Sequence, residues 1–478
     1  MKKFIALLLA IIMTLSLCAC GASDTTGGTE GNGDAAAAEG LKVGYSRINI
    51  TPTYSCGIAG YSDDDTRRSE GFRTYIYMTC VAVSSGVDTF LLYTFDGLSA
   101  SKGVQDAMRT AIQNTVEISA DHIFIGATHC HSAPTLTKSY EGNDKYWGEF
   151  MQAAGTAAKE AIADQSAATM LAATPIITDE NGKYMNFVRH YEMKDGSHAG
   201  SNFGDWSKGI VGHSTEGDPQ MVLVKFDLAD ESKKDILMMN WQAHPDRGTE
   251  LGRFQIAASW IGPLRDELES LSGLRVAYFT GASGNQNADS KIPEEAHGLD
   301  WEGYGKKMGQ LTNGVLDQLK PVEGTELKQT SKILDLDIDH SWDHMIAQAN
   351  EVYDLWKSAG KTAGDALGKQ YGFTSSYQAR AIRSRFNMAK TGQLEIRAFR
   401  IGPIGFTTGT YEMFSTHGLY VKRNSPFDIT FIISANSGYL PDVAAYEYRS
   451  YEADTGYFAP GSAEKLAENY VEMLKSIK

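Results

Sequence analysis

The chain has 478 residues, of which 42% are hydrophobic and 10% aromatic, so it is long enough and apolar enough to bury a core. This composition excludes disorder as a description of the whole chain. The formal net charge is −15, and no segment is dense in Lys and Arg, which argues against nucleic acid as a partner because its phosphates would be repelled.

Residues 1–19 have the pattern of an export signal. Lys2 and Lys3 precede an apolar run that is too short to span a membrane and ends at Leu17-Cys18-Ala19-Cys20. These four residues resemble the lipobox of bacterial lipoproteins, which implies cleavage before Cys20 and acylation of its thiol. The alternative is an ordinary secretory peptide that is cut further on. Residues 20–40 have the composition of a flexible tether. We therefore expect an extracytoplasmic domain, residues 41–478, that a lipid anchor holds at the cell membrane.

Apolar patterning predicts that this domain is α/β. Strands are predicted in the run before His129 and over residues 42–50, 76–84, 89–95, 168–178, 221–227, 235–243, 274–280, 394–401, 404–408 and 429–434. Helices are predicted over residues 104–116, 146–163, 301–319, 342–358, 376–389 and 463–476. Residues 181–218 form a long polar segment, which is typical of a functional loop. Several strands come in adjacent pairs, so we expect a single large domain with a mixed sheet, or two stacked sheets, flanked by helices.

Two histidines follow the fourth predicted strand. In an extended segment His129 and His131 lie on one face, where they can reach one metal ion or one substrate group. The alternative is a pair of histidines that hydrogen-bond to backbone carbonyls. Cys130 alternates with them, and we interpret it as a packing residue. We interpret the isolated histidines, including His190, as surface or loop residues.

Polar residues also follow four other predicted strands: His244, residues 283–287, Glu412 and Tyr439. If part of the sheet is parallel, these strand ends gather at one edge and form a cluster that can hold a divalent metal. Two histidines and a carboxylate are the usual ligands of a hydrolytic zinc site. The alternative is that these side chains point in different directions.

Two of these motifs resemble those of a known family. Thr128-His129-Cys130-His131-Ser132-Ala133-Pro134 resembles the Thr-His-Thr-His-Ser-Gly-Pro signature of the neutral ceramidases, and Asn240-Trp241-Gln242-Ala243-His244-Pro245 is similar to the family's second histidine motif. The remaining pieces also follow the family's order: Asn186-Phe187-Val188-Arg189, Tyr411-Glu412 in place of Pro-Gly-Glu, Gly438-Tyr439 and Tyr451-Glu452. The resemblance extends over about residues 41–478.

The resemblance implies a zinc ion held by His129, His244, Glu412 and Tyr439. It places three further residues on the substrate side: His131, Arg189 and Tyr451. The implied activity is hydrolysis of an amide bond in an N-acyl compound, such as a ceramide-like lipid, by water that the zinc activates.

The chain departs from the family's pattern in one loop. The family has Gly-Asp-Val-Ser-Pro-Asn, whereas this chain has Gly284-Asn285-Gln286-Asn287-Ala288, so that Asn287 stands at the serine position. The resemblance therefore favours metal-activated water over a serine nucleophile, and it implies a substrate loop that includes Gly284, Asn285 and Asn287. Two alternatives stay open: an enzyme that acts on esters or cell-wall amides, and a ligand-binding lipoprotein with the same fold and no catalytic activity.

Overall fold

The secondary structure combines paired strands with helices. The computed structural model describes residues 40–61, 67–136, 142–246 and 253–478. The strands in these ranges are β1 (Leu41–Asn49), β2 (Gly71–Phe72), β3 (Tyr77–Ser85), β4 (Asp88–Phe95), β5 (Ile123–Ala127), β6 (Ser166–Ala173), β7 (Phe187–Val188), β8 (His190–Met193), β9 (His198–Gly200), β10 (Ile210–His213), β11 (Val222–Leu228), β12 (Ile236–Trp241), β13 (Gln255–Ile256), β14 (Arg275–Thr280), β15 (Gln286–Asn287), β16 (Lys320–Pro321), β17 (Leu327–Asp337), β18 (Thr391–Ile401), β19 (Ile404–Gly409), β20 (Glu412–Met413), β21 (Ile429–Ser434) and β22 (Tyr439–Leu440). The helices are α1 (Lys102–Gln113), α2 (Asn143–Ala163), α3 (Ile261–Ser272), α4 (Trp301–Gly314), α5 (Ile346–Ala359), α6 (Lys361–Gln370), α7 (Ser376–Phe386), α8 (Ser415–Asn424), α9 (Val443–Glu447), α10 (Tyr451–Thr455) and α11 (Ser462–Ser476).

The larger sheet is mixed. Its strands follow the order β14-β12-β11-β6-β1-β3-β4-β5, and β16 pairs with β6. The pairs β12–β14 and β4–β5 are parallel, whereas the strands between them are antiparallel. The prediction of a mixed sheet is confirmed.

A second sheet packs against the first. Its order is β17-β18-β19-β21, and the ring of Phe399 on β18 stacks on Phe124 of β5 with 3.7 Å between centroids. Helices cover the outer faces: α1 and α2 pack on the larger sheet, and α11 packs on the smaller one. Residues 40–478 thus form one compact α/β unit, as the sequence predicts.

The two edges of the larger sheet approach each other where the functional strands end. The hydroxyl of Thr280, at the end of β14, donates to the Thr128 carbonyl just beyond β5 at 3.0 Å. The side-chain Nδ2 of Asn436, after β21, donates to the Ala127 carbonyl at 3.0 Å. These hydrogen bonds bring the carboxyl ends of strands from both sheets to one place, which is where α/β proteins assemble their sites.

The structure contains several elements that the sequence pattern does not predict, among them β17, α3, α6 and α8. The long polar segment is not a plain loop, because β8, β9 and β10 form a small sheet within it. Helix α3 was not predicted, since Gly262 and Pro263 suggest a break in the helix. Pro263 lies in the first turn of α3, where its missing N–H costs no hydrogen bond.

Candidate metal centre

His129 stands just after β5 in an uncommon backbone conformation. Its φ is +67°, a region that residues with a Cβ rarely occupy. Its Nδ1 lies 2.6 Å from the Leu98 carbonyl oxygen. Because a carbonyl oxygen only accepts hydrogen bonds, Nδ1 carries the proton, and in the neutral ring Nε2 carries a lone pair.

His131 has the same hydrogen-bonding pattern. Its Nδ1 donates to the Gly60 carbonyl oxygen at 2.7 Å, which leaves its Nε2 without a proton in the neutral ring. Gly60 has a φ of +117°, and a Cβ there would lie 2.7 Å from the Cα of His131. Only glycine fits this close approach.

The Nε2 atoms of three histidines meet at one point. His129 and His244 are 3.1 Å apart, His131 and His244 are 3.1 Å apart, and His129 and His131 are 3.3 Å apart, all measured between Nε2 atoms. Ligand atoms that share a tetrahedral zinc through bonds of about 2.0–2.1 Å lie about 3.3 Å from one another. The three imidazoles can therefore hold one metal ion.

Glu412 adds a carboxylate to this cluster. Its Oε2 lies 3.3 Å from His129 Nε2 and 4.0 Å from His244 Nδ1. This oxygen is buried and has no hydrogen-bond partner among the described residues. A buried carboxylate oxygen that faces an imidazole lone pair is unfavourable, and a shared cation removes that cost. The residues present therefore fit a divalent metal.

The surroundings keep His131 and His244 neutral. Burial, and after it repulsion from the protonated form of His129, lowers the pKa of His131 well below its ordinary value. Burial, and after it the charge of Arg189, does the same to the pKa of His244. Neutral imidazole is the form that binds a metal.

Arg189 lies beside the cluster and is held by a buried glutamate. Its Nη2 lies 2.6 Å from Glu452 Oε1 and donates to the Tyr439 hydroxyl at 3.2 Å. His190 Nε2 lies 2.8 Å from the other oxygen of Glu452. Both Glu452 and His190 are fully buried, so the interpretation of His190 as a surface or loop residue is wrong.

One cavity of about 580 Å³ connects these groups. All seven residues that the resemblance assigns to the metal or to its substrate side line it: His129, His131, Arg189, His244, Glu412, Tyr439 and Tyr451. Tyr439 is paired with Glu412 across the parallel strands β20 and β22. The prediction that residues from distant strand ends converge is borne out by these positions.

Comparison with known proteins finds similarity in structure. No protein-family model matches the chain, and no curated protein matches it. The neutral ceramidase from Pseudomonas aeruginosa is similar over 91% of this chain and 74% of its own, with a TM-score of 0.66 and 14% identity. A structure described as ceramidase complexed with C2 is similar over 91% of this chain and 75% of its own, with a TM-score of 0.63 and 14% identity. The chain has the fold of the neutral ceramidases.

In this ceramidase fold, His131 lies within the same cluster as His129 and His244. The resemblance places His131 on the substrate side, yet its Nε2 is as close to His244 as that of His129 is. The side-chain positions thus agree with the simpler inference from spacing, that His129 and His131 reach one ion together.

The loop that the resemblance assigns to the substrate lies outside the described lining of the cavity. The Gly284 amide donates to the Met413 carbonyl, and the Arg189 amide donates to the Asn285 carbonyl. Asn287 pairs with Phe187 in the ladder between β15 and β7. None of the predicted loop residues Gly284, Asn285 and Asn287 is among the described residues that line the cavity. The loop instead connects the segments that carry Arg189, His244 and Glu412.

Cys130 is buried in the core of this fold, which confirms its interpretation as a packing residue. The predicted signal peptide, the acylated Cys20 and the tether up to residue 39 lie outside the described residues. In the described ranges, no helix is both long and apolar enough to cross a bilayer.

Proposed function

We propose that the chain is a zinc-dependent hydrolase that cleaves the amide bond of an N-acyl compound. The observation that carries this proposal is the meeting of three imidazole Nε2 atoms within 3.3 Å of one another. They lie beside a buried carboxylate oxygen without a hydrogen bond. The ceramidase fold supports the choice of an amide as the scissile bond, since both similar structures are described as ceramidases.

We assign the ligand role to His129, His131, His244 and Glu412. Three neutral imidazoles and one carboxylate suit zinc and leave the site with a net positive charge. Tyr439 lies next to Glu412 in the β20–β22 pair, and we propose it as a neighbour of the ion. A divalent ion in this position supplies Lewis acidity to the amide carbonyl and to the attacking water.

The chain's own residues supply the rest of the site. Arg189 lies at the cavity wall, where its ion pair with Glu452 keeps the guanidinium protonated and fixes its direction. That guanidinium can stabilise negative charge on the carbonyl oxygen of the substrate during attack. The Tyr439 hydroxyl, which accepts from Arg189, has its own proton left to donate to the oxygen or nitrogen of the amide. No serine is required in this chemistry, in agreement with the position of Asn287 outside the described lining of the cavity.

We further propose that the protein acts outside the cytoplasmic membrane, attached through an acylated Cys20. This rests on the sequence pattern of residues 1–40. Metabolic labelling with a palmitate analogue is expected to mark the wild-type protein and not Cys20→Ala. Equal labelling of both proteins would exclude Cys20 as the acylated residue.

Metal analysis combined with activity tests the central proposal. The purified protein is expected to contain one zinc per chain and to release fatty acid from N-acyl amides, including short-chain ceramide in detergent. His129→Ala is expected to lose most of the metal and the activity, because affinity depends on the full ligand set. His344→Ala changes an exposed histidine and serves as the matched control.

Chelation followed by zinc addition should abolish and then restore activity in the wild type and in His344→Ala. Stoichiometric zinc in His129→Ala would refute the ligand assignment. Bound zinc in the wild type with cleavage of matched esters but not of amides would refute the choice of amide bond.

A further inference from the structure

A row of tyrosine rings leads away from the ligand cluster along the cavity wall. It begins at Tyr439, which is paired with Glu412. The Tyr451 ring lies 5.9 Å from that of Tyr439, and the Tyr377 ring lies 5.4 Å from that of Tyr451. All three tyrosines line the cavity. They form a continuous aromatic surface, which we call the tyrosine wall.

Arg380 stands at the far end of the tyrosine wall. It lies three residues after Tyr377 on α7, and its guanidinium carbon is 5.5 Å from the centre of the Tyr377 ring. The same carbon is 5.6 Å from the Trp356 ring. These two rings fix the direction of the side chain through cation–π contacts, and Arg380 is exposed to the cavity.

No acidic side chain among the described residues neutralises the charge of Arg380. None of the ion pairs and hydrogen bonds formed by the described part of the chain involves its guanidinium. Arg189, by contrast, is paired with Glu452 at 2.6 Å. An arginine without an acidic partner is notable on a cavity wall in a chain with a net charge of −15. A guanidinium in this state is suited to bind a carboxylate or a phosphate through two parallel hydrogen bonds.

The remaining wall is polar. It is lined by Ser99, Ser201, Asn202, Asp246, Arg253, Asn436 and Ser437, and Leu98 is the single aliphatic side chain among the described residues of the lining. The aromatic rings of the lining offer surface for packing, and a polar group can hydrogen-bond to the polar side chains. The described lining therefore suits a substrate that has a polar group as well as an acyl chain.

We propose that the substrate is an N-acyl compound that carries an anionic group, and that Arg380 binds this group. The anionic group lies at the far end of the tyrosine wall, and the part of the substrate between it and the scissile amide packs on Tyr451 and Tyr377. The inference rests on the proposed amide hydrolysis at the ligand cluster. Arg380 is then a specificity-determining residue, distinct from the groups that act on the amide.

Three substrates with one common acyl chain test this proposal: N-acyl-8-aminooctanol, which is neutral, N-acyl-8-aminooctanoate, which carries a carboxylate, and the phosphate ester of N-acyl-8-aminooctanol. The linker between the amide and the anion is long enough in these compounds to pass Tyr451 and Tyr377. We expect kcat/KM for the two anionic compounds to exceed that for the neutral one by about tenfold or more, the value of one charge-assisted hydrogen-bond pair. A preference for only one of the two anionic compounds identifies which anion the site accepts.

Arg380→Gln removes the charge and is expected to raise KM about tenfold for the anionic compounds, with kcat and the neutral compound little changed. Arg383→Gln is the matched control, since Arg383 lies on the same helix, stacks on Tyr353 and does not line the cavity. An equal loss for all three compounds in Arg380→Gln, or an unchanged KM for the anionic ones, would overturn the proposal.

A binding measurement separates this inference from the proposed function. If none of the compounds is hydrolysed, calorimetric titration with N-acyl-8-aminooctanoate is compared between the wild type and Arg380→Gln. Saturable binding that Arg380→Gln weakens about tenfold supports the anion site although the hydrolysis proposal fails. Equal binding to both proteins, or no binding to the wild type, refutes the anion site.

Discussion

The Nε2 atoms of His129 and His244 lie 3.1 Å apart although 115 positions separate the two residues in the chain. One follows β5 and the other follows β12, strands that lie towards opposite edges of the larger sheet. The hydrogen bond from Thr280 to the Thr128 carbonyl shows how the fold achieves this, by bringing the two edges together. The site therefore depends on the curvature of the sheet as well as on its ligands.

Glu412→Gln is expected to have opposite effects on the metal-free and the metal-loaded protein. Without metal, Glu412 is a buried carboxylate with an unsatisfied oxygen, so its neutralisation should leave stability unchanged or raise it. With zinc, loss of the charged ligand should lower affinity by about tenfold or more. Thermal unfolding with and without zinc, and titration against a competing chelator, measure the two effects.

The matched control for this prediction is Glu302→Gln, which removes a partly exposed glutamate that pairs with Lys306 one helical turn away. We expect it to change neither zinc affinity nor the difference between the two unfolding temperatures. If Glu412→Gln destabilises the metal-free protein and leaves zinc affinity intact, the carboxylate serves the fold and not the metal.

Gly60→Ala is expected to weaken metal binding and lower stability although Gly60 is not itself a ligand. A Cβ at this position would lie 2.7 Å from His131, so either the loop or the imidazole has to move. We expect a loss of about 1–3 kcal/mol in the free energy of unfolding and weaker zinc binding. Denaturant unfolding and the chelator titration provide the measurements.

Gly86→Ala controls for the backbone conformation alone. Gly86 also has a positive φ, +58°, but a Cβ there meets no atom within 4 Å. The control should lose about 1 kcal/mol and keep full zinc affinity. Equal zinc affinity in both variants would contradict the proposed support of His131 by Gly60.

The sequence pattern predicts the strands that carry the site residues, but it does not predict the loops that hydrogen-bond to those residues. The run before His129 and the apolar strand before His244 have clear patterns, and β5 and β12 end close to the predicted positions. The hydrogen bonds from His129 to Leu98 and from His131 to Gly60 depend on how loops fold back onto the strand ends. No periodicity in the sequence reports such contacts.

The pairing of Arg189 with Glu452 shows most clearly what could not be predicted from the sequence. The two residues are 263 positions apart, and the resemblance pointed to Arg189 and Tyr451 while passing over the glutamate beside Tyr451. A buried charge requires a partner, but the sequence does not show which charges are buried. The burial of His190 was missed for the same reason, because its polar neighbours in the sequence suggested exposure.

Glu452 is expected to make the stability of the protein sensitive to acid. Burial alone would raise the pKa of its carboxyl group, but His190 and Arg189 outweigh burial and lower the pKa from 4.5 to about 2. The unfolded chain therefore takes up a proton at a higher pH than the folded one. The stabilisation from Glu452 is complete above pH about 4.5 and is lost as the pH falls towards 2.

Glu452→Gln should remove this contribution, which amounts to about 3 kcal/mol at neutral pH. Urea unfolding from pH 7 to the lowest pH at which both proteins fold should show a shallower loss of stability in Glu452→Gln than in the wild type. Glu302→Gln should follow the wild type. Parallel curves for wild type and Glu452→Gln would show that the ion pair with Arg189 does not stabilise the folded state.

The loop outside the described cavity lining allows a comparison of two neighbouring asparagines. Asn285 is buried, and its Oδ1 accepts from the Ser415 amide at the start of α8 at 2.8 Å. Asn285→Ala should therefore cost about 1–3 kcal/mol, the penalty for an unpaired buried amide, and should weaken zinc binding through the adjacent Glu412 segment. Asn287 has a buried Oδ1 without a hydrogen-bond partner among the described residues, so Asn287→Ser should leave stability nearly unchanged.

Asn287→Ser also tests the mechanism, because it restores the serine of the family's loop. Asn287 pairs with Phe187 in the ladder between β15 and β7, forms a β-bridge with His244 and does not line the cavity. We therefore expect the new hydroxyl not to contact a substrate held at the ligand cluster. We expect kcat/KM of Asn287→Ser to equal that of the wild type in the zinc-loaded protein. An increase of tenfold or more, about 1.4 kcal/mol in the barrier, would mean that the loop reaches the substrate and that a serine takes part in the reaction.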